Sequence, residues 1–422
     1  MNAYFCSLMT KQAEFTIFTL ANGLRVIHKE VDRPVAHCGI LINAGSRDEQ
    51  TDESGIAHFI EHAIFKGTKR RRAYHILNRL DSVGGEFDAY TSKEQTVIYA
   101  SFLSEYYERA IELLSDVVLN SEFPEKEIAK EKEVVLDEIK SYQDSPADQI
   151  YDDFESLVFK SHALGNPILG SPESIALFDR KKILNFTDRL YRAENMVFSS
   201  VGAISEKKLR RKIEKHFGSL KPENIQKSRL PFQGNAPKKQ HEYKGNVQTH
   251  CMMGKACFGA DHPKRIGLSL LNNLLGGPAM NSILNLKVRE KYGFTYNIES
   301  NYSPYSDSGI FSIYLGTDPK FIDRCLSIIF KELKVLRQKK LSKNKLHLAK
   351  QQLKGQIALA RESNSNLMLS YGKSLLTKNN VKGIELIHRE IEAINSDEIM
   401  EIAREILDEK EFTFLFFDGN AK

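Results

Sequence analysis

The chain predicts an α+β fold of two similar tandem units, each a mostly antiparallel sheet packed against helices. Three observations lead there. Its 422 residues exceed what one hydrophobic core usually supports, so two domains are expected. Segments of strand and helix periodicity recur in the same order and at similar spacing in the two halves. Between them, Ser219 to Tyr243 is rich in Pro, Lys, Gln and Asn with little periodicity, which is linker chemistry. The expected domains are residues 1–218 and 244–422, joined by a linker over 219–243.

In the first half, strand-like segments at Phe15–Leu20, Leu24–Lys29 and Ala36–Asn43 precede a short helix that begins near Ile56. A helix over Tyr74–Val83 leads into strands at Glu86–Thr91 and Thr96–Phe102, then a helix over Ser104–Leu119. Phe123-Pro124-Glu125 reads as a further helix start, with proline in the first turn and early acids suiting the helix dipole. That helix runs without Gly or Pro to Asp144, and Pro146 closes it. The second half offers a strand at His250–Phe258 and a helix at Arg265–Leu275, standing where the Ile56 helix stood. Ile283–Lys291, strands at Thr295–Tyr302 and Gly309–Leu315, and a helix over Pro319–Leu336 follow.

Composition narrows the function classes. The balance of 60 basic to 55 acidic residues is nearly neutral, and no basic tract is interleaved with aromatics, so nucleic acid is not an expected partner. Cys6, Cys38, Cys251, Cys257 and Cys325 form no Cys-x-x-Cys pair, and their odd number argues for free thiols in a reducing compartment. The apolar run Ala3–Met9 has no basic residues before it, so no signal peptide is expected. No run of 18 apolar residues exists, so no membrane span is expected, and a cytoplasmic protein follows. His37 reads as a satisfied core histidine, Lys69–Arg72 as a solvated loop and Lys339–Lys345 as a basic helical surface. Tyr302, Tyr305 and Phe311 read as core.

His58-Phe59-Ile60-Glu61-His62 carries the chemistry. On a helix His58 and His62 lie almost one above the other, with Glu61 beside His62. Ile56, Ala57, Phe59, Ile60, Ala63 and Ile64 cover the remaining arc and would face a core. Two neutral imidazoles at that spacing can chelate Zn²⁺, which in a catalytic site takes a third protein ligand and keeps a position for water. Glu61 is placed to take that water's proton; the bland alternative is two solvated or hydrogen-bonded histidines. On the Phe123–Tyr142 helix, Glu131 and Glu138 lie seven residues apart on one face. Glu138 would complete a His₂Glu set and Glu131 could orient a ligand or the water. Taken alone, that Glu/Lys-rich helix would be a solvated face.

The His-x-x-Glu-His motif, with Glu138 inside Glu131-Lys-Glu-Val-Val-Leu-Asp-Glu138, resembles the pitrilysin/insulysin family of inverted zincins. The likeness is to half-length members related to the mitochondrial processing peptidase β subunit. It extends over Ala44-Gly45-Ser46-Arg47-Asp48-Glu49, over Gly84-Gly85-Glu86-Phe87-Asp88-Ala89-Tyr90-Thr91, and over Arg289-Glu-Lys-Tyr-Gly293-Phe-Thr-Tyr296. The resemblance implies that His58, His62 and Glu138 bind zinc, that Glu61 is the general base and that Glu131 supports catalysis. It implies that Ala89 pairs with substrate backbone, and that Arg289 and Tyr296 contact substrate from the opposing half of the molecule. Asp88 stands where the family usually has Asn, and an ionised carboxylate only accepts hydrogen bonds.

The expected activity is zinc-dependent hydrolysis of unstructured peptides inside a closed chamber, with one zinc per chain. The second half has Ser-Leu-Leu-Asn-Asn at Ser269–Asn273, with no imidazole. A chamber requires a second chain, so a homodimer is expected, or a heterodimer with an inactive homologue. The alternative is a non-catalytic structural or partner subunit of the same fold.

Overall fold

In the computed structural model, which describes residues 14–222 and 229–419, the period-two segments become two sheets. Cys6 and the Ala3–Met9 run lie outside the described residues. The first half runs β1 (Thr16–Thr19), β2 (Arg25–Glu30), β3 (Val35–Ile42), α1 (Ile56–Ala63), α2 (Ala73–Asp81), β4 (Glu86–Thr91) and β5 (Thr96–Leu103). It continues through α3 (Tyr107–Asn120), α4 (Glu125–Gln143), α5 (Pro146–Val158), α6 (Pro172–Ala176), α7 (Arg180–Leu190), β6 (Met196–Gly202) and α8 (Glu206–Phe217). The second half opens with β7 (Lys239–Tyr243), β8 (Thr249–Cys257) and α9 (Arg265–Gly276), and a π-helical turn at Asn285–Glu290 precedes β9 (Thr295–Pro304) and β10 (Gly309–Thr317). Then follow α10 (Ile322–Gln338), α11 (Lys343–Arg361), α12 (Asn364–Lys378), α13 (Ile384–Ala393), α14 (Ser396–Ile406) and β11 (Thr413–Asp418).

The duplication is visible in strand order. The first sheet reads β1-β2-β6-β3-β5-β4 and the second β7-β11-β8-β10-β9. Each has one parallel pair, β2 with β6 and β7 with β11, and is otherwise antiparallel. Strands β7, β8, β9, β10 and β11 therefore correspond to β2, β3, β4, β5 and β6. This corrects the linker expectation at its end. Lys239–Tyr243 is an edge strand, and its Lys-Gln-His-Glu-Tyr sequence reads as loop because an edge strand's exposed face favours charge. Residues 223–228 of the expected linker lie outside the described residues.

Side chains alternate strictly between two cores. From β3, Ala36, Cys38, Ile40 and Ile42 join Phe59 and Ile60 of α1 and Leu113 and Leu114 of α3, whereas Leu41 points to the opposite face. That opposite face is covered by α12, which comes from the second half of the chain and contributes Leu367, Met368, Tyr371 and Leu375. Conversely Ile150, Phe154 and Val158 of α5, one helix stripe, pack on Met252 of β8, Ile310 and Tyr314 of β10 and Leu415 and Phe417 of β11. Each half thus lends one helix to the other's sheet.

Polar contacts reinforce the exchange. The Arg47 guanidinium, almost fully buried, donates to both oxygens of Asp307 at 2.7 Å and to Glu94 Oε1 at 2.8 Å. Ser306 Oγ also donates to Glu94 at 2.6 Å, and Tyr305 Oη donates to Glu155 at 2.6 Å. Two surface expectations need correction. Arg71 is no solvated loop residue, since it pairs with Asp116 at 2.6 Å and Glu112 at 2.7 Å. Lys339 to Ser342 precede a helix rather than belonging to one, because the Ser342 hydroxyl caps α11 by accepting from Lys345 N–H.

Helix α12 sits close on its sheet because position 372 is glycine. A Cβ there would lie 2.4 Å from Leu41 Cδ1 and 3.0 Å from Ser199 Cβ, and Ser199 Oγ donates to Met368 O at 2.6 Å. Gly372→Val should therefore lose about 1–3 kcal/mol by overpacking, read as a lower urea midpoint. An unchanged midpoint would show that α12 does not approach this closely.

Candidate metal centre

The site is built on α1, a helix with little freedom of its own. Its residues Ile56, Ala57, Phe59 and Ile60 are fully buried, and Phe59 meets Phe178 edge-on at 5.4 Å. Its start is set by Gly55 at φ +88°, where a Cβ would fall 2.7 Å from both Gly170 Cα and Leu169 O. Glu49 accepts hydrogen bonds from Gly55 N–H at 2.9 Å and Ala57 N–H at 3.0 Å. A carboxylate is favoured at a helix N-terminus, although burial raises the Glu49 carboxyl well above its ordinary range against those two bonds. Arg189 holds Glu53 from the next layer at 2.6 Å. The Ala44–Glu49 segment thus locks the two halves through Arg47 and caps α1 through Glu49, roles that sequence reasoning did not assign. The signal was faint, one acid six residues before a helix glycine.

Helix α4 faces α1 and supplies the carboxylates. Its start differs slightly from expectation: Pro124 is the capping residue in extended conformation, with the first turn beginning at Glu125. Glu138 Oε2 lies 3.8 Å from His58 Nε2 and 3.5 Å from His62 Nε2. These three side chains form the only group of possible metal ligands found among the described residues. Donors at 2.0–2.1 Å from a tetrahedral zinc stand about 3.3 Å apart, so the separations are close to what such an ion needs. The donor set, two imidazoles and one carboxylate, also fits zinc by chemistry. Glu131 accepts from His62 Nδ1 at 2.9 Å, and its other oxygen takes Lys66 Nζ at 2.8 Å. That is the carboxylate–histidine arrangement that fixes a ligand's tautomer and turns its other nitrogen outward. His58 Nδ1 is buried without such a partner.

The electrostatics follow from this packing. Burial and the neighbouring His62 push His58 down to about 4, so it stays neutral and able to donate a lone pair. Burial opposes charge on His62 as well, but its bonds to Glu131 and Glu138 win and lift it to about 9. Glu138 is lowered, chiefly by the hydrogen bond from His62. Glu61 lies beside this group, with its Oε2 buried and unpartnered. Burial raises its carboxyl above the ordinary range, against Thr91 and His62. A base is most effective when its pKa approaches the operating pH.

Of the sequence-predicted site residues, the structure gathers His58, His62, Glu138, Glu131 and Glu61. Ala89 lies on β4, the edge strand beside α1, where Thr91 Oγ1 donates to Ala57 O at 3.5 Å. Arg289 and Tyr296 lie on the second half. Arg289 is exposed on the π-helical turn with Glu290 3.8 Å away, and Tyr296 is 86% exposed on β9, the edge strand of the other sheet. A separate cavity of about 950 Å³ lies between α9, α11, α12 and α13, bounded by Arg265, Ser374 and Lys378. It contains none of the donor set.

Two sheets with exchanged helices thus carry a donor set of two imidazoles and one carboxylate on paired helices. Residues 25–172 match the insulinase family, peptidase family M16, and residues 178–353 match the peptidase M16 inactive domain. An uncharacterized zinc protease of Bacillus subtilis strain 168, YmxG, is 34% identical over 398 residues, spanning 93% of this chain and 95% of its own. An uncharacterized zinc protease of Rickettsia felis is 35% identical over 401 residues, with shares of 93% and 95%. The fold is shared with a peptidase M16 inactive domain structure from Pseudomonas fluorescens, at TM-score 0.90 and 20% identity, covering 97% of this chain and 99% of that one. A protease from Helicobacter pylori superposes at TM-score 0.88 and 23% identity, covering 96% and 99%. The chain belongs to the M16 peptidase family, as one of its half-length, pitrilysin-related members. No described helix is long and apolar enough to cross a membrane.

The His62–Glu131 pair has a testable signature in metal-free protein. A histidine raised from its ordinary 6.5 to about 9 contributes stability fully present below 6.5 and lost as pH rises through about 9. In chelator-treated protein the His62 ring signal should titrate well above 6.5, and Glu131→Gln should bring the midpoint down. The melting-temperature gap between parent and variant should narrow as pH rises through about 9, leaving the part due to the Lys66–Glu131 pair. A parent midpoint at the ordinary value would disprove the coupling.

Proposed function

We propose that the protein is a zinc-dependent endopeptidase that hydrolyses unstructured peptides. The observation that carries the reading is the convergence of His58 Nε2, His62 Nε2 and Glu138 Oε2 beside a buried carboxylate, Glu61. His58, His62 and Glu138 would hold one zinc per chain. When bound, that ion polarises the scissile carbonyl and lowers the pKa of the attacking water. Glu61 takes the proton of that water and can return it to the leaving amine, and its raised pKa suits both transfers. Glu131 keeps the His62 ring oriented. The peptide adds as a strand along β4, held by main-chain hydrogen bonds that include Ala89, so sequence preference is limited.

Arg289 and Tyr296 enter this reading through a second copy of the chain. A homodimer would place Arg289 and Tyr296 of the partner subunit opposite each zinc, where they stabilise negative charge on the scissile carbonyl oxygen. The exposure of Tyr296 supports this, because an aromatic so far from its own core is more at home against another surface. Closure of two copies around the site makes a chamber that admits unfolded peptides, and the compartment proposed is the cytoplasm.

Ligand and base separate by mutation. Glu61→Gln should keep near-stoichiometric zinc while cleavage of an unstructured peptide falls by about 10²-fold or more, because an amide cannot take the proton. His58→Ala, His62→Ala and Glu138→Gln should lose metal by elemental analysis, and Glu131→Gln should lose less than Glu138→Gln. Full turnover in Glu61→Gln would remove Glu61 as base, and zinc-loaded parent protein that cleaves no peptide would favour a non-catalytic partner subunit.

The shared site is tested by mixing. Inactive Glu61→Gln and inactive Arg289→Ala proteins, after demonstrated subunit exchange, should recover part of the parent activity, since each mixed dimer holds one intact composite site. Exchange without recovery, or a fully active monomer, would sink the dimer reading.

A further inference from the structure

The edge of β4 is already occupied by one of its own side chains. Ser92 N–H donates to Gln95 O at 2.8 Å in the turn between β4 and β5, so that pair is hydrogen-bonded. Bonded and non-bonded pairs alternate in an antiparallel ladder. In the register Tyr90 with Val97, Ala89 with Ile98 and Asp88 with Tyr99, Asp88 and Tyr90 therefore turn their backbone groups to β5. Phe87, Ala89 and Thr91 turn theirs outward, and β4 is the last strand of its sheet. The outward Ala89 N–H does not wait free, because Asp88 Oδ1 accepts it at 2.8 Å. Tyr99 Oη donates to Asp88 Oδ2 at 3.1 Å. The Asp88 carboxylate is exposed and engaged by an amide and a phenol rather than by a cation.

We propose that Asp88 is a specificity-determining residue of the peptide groove: it stands in for a substrate carbonyl on Ala89 N–H, and a peptide carrying Lys or Arg opposite it is preferred. The inference rests on the reading of β4 as the substrate edge. A strand docking there must move the carboxylate off Ala89. A neutral side chain opposite leaves the displaced charge without a partner other than Tyr99 and water. A cationic side chain pairs with it directly across the two strands, and an acidic one is repelled, as cross-strand neighbours are. Aspartate makes this latch selective because, when ionised, it can only accept.

The test separates this inference from the peptidase reading by measuring binding. Zinc-loaded Glu61→Gln protein is titrated against fluorescein-labelled unstructured peptides that differ only by Lys, Gln or Glu, scanned through each position. At one position the Lys peptide should bind about two- to five-fold tighter than the Gln peptide, with the Glu peptide weakest. Adding Asp88→Ala should abolish that order and tighten the Gln peptide, since the amide is then free. Adding Asp88→Asn, which keeps an acceptor without the charge, should also abolish the order, with a smaller gain for the Gln peptide. Melting temperatures near the parent's confirm that the variants are folded. A Lys preference that survives both substitutions, or its absence from the Asp88 protein, overturns the inference. Asp88-dependent binding of peptides that the parent protein never cleaves would uphold it and overturn the peptidase reading instead.

Discussion

A sheet has two faces, and neither half of this chain covers both of its own. The first half packs α1, α3 and their neighbours on one face and leaves the other to α12, while the second leaves one face to α5. Neither sheet could be left bare: Leu41, Val97, Val197 and Val201 on one and Met252, Tyr314, Leu415 and Phe417 on the other are buried in the clusters that the exchanged helices form. Each large apolar side chain so covered is worth about 1.5–3 kcal/mol. The halves are therefore one folding unit, and the buried Arg47 pair with Asp307 and Glu94 sits where they meet. Arg47 is buried while the Asp307 side chain is 31% exposed, so the pairing adds little net stability, but removing its partners would leave a buried guanidinium uncompensated; it serves orientation more than strength.

The metal set inherits its rigidity from that constraint. Helix α4, which carries Glu131 and Glu138, passes through Ser145 directly into α5, the helix lent to the second sheet. Helix α1 is fixed at its start by Gly55 against Gly170 and by the Glu49 carboxylate. The two donor helices are thus pinned from different directions, and only side chains remain to be oriented. Glu131 does that for His62. His58 has no comparable partner for its Nδ1, so its orientation rests on packing. Burying such a group without a partner is unfavourable.

What was legible in the sequence follows from how locally each feature is encoded. The strands that were expected moved by only a residue or two, but β6 (Met196–Gly202) and β11 (Thr413–Asp418) were missed, because short runs buried on most of their length show no clear alternation. The His58–His62 spacing and the Glu131–Glu138 interval are properties of single helices, so the group they form could be anticipated before any packing was known. Features that depend on a distant partner were not legible. Strand β7 is polar because it is an edge, and only its pairing with β11 makes it a strand. The same holds for the borrowed helices: nothing in Ile150, Phe154 and Val158 says which sheet they serve. Arg71 reads as one of four loop cations until Glu112 and Asp116 on α3 are seen beside it.

The correspondence of β4 with β9 brings the two edges into one argument. Both are the last strand of their sheets, yet the two units have diverged in what they present there. The first shows outward amides next to a donor set, with Asp88 covering one of them. The second has kept no imidazole on α9 and shows an exposed aromatic and an exposed guanidinium instead, Tyr296 and Arg289. In the proposed mechanism such a division leaves each unit chemically incomplete. The exchange of α5 and α12 packs the two units against each other. In the proposed homodimer another copy of the molecule would complete the first edge with groups from the second, so the proposed reaction and the proposed assembly stand together.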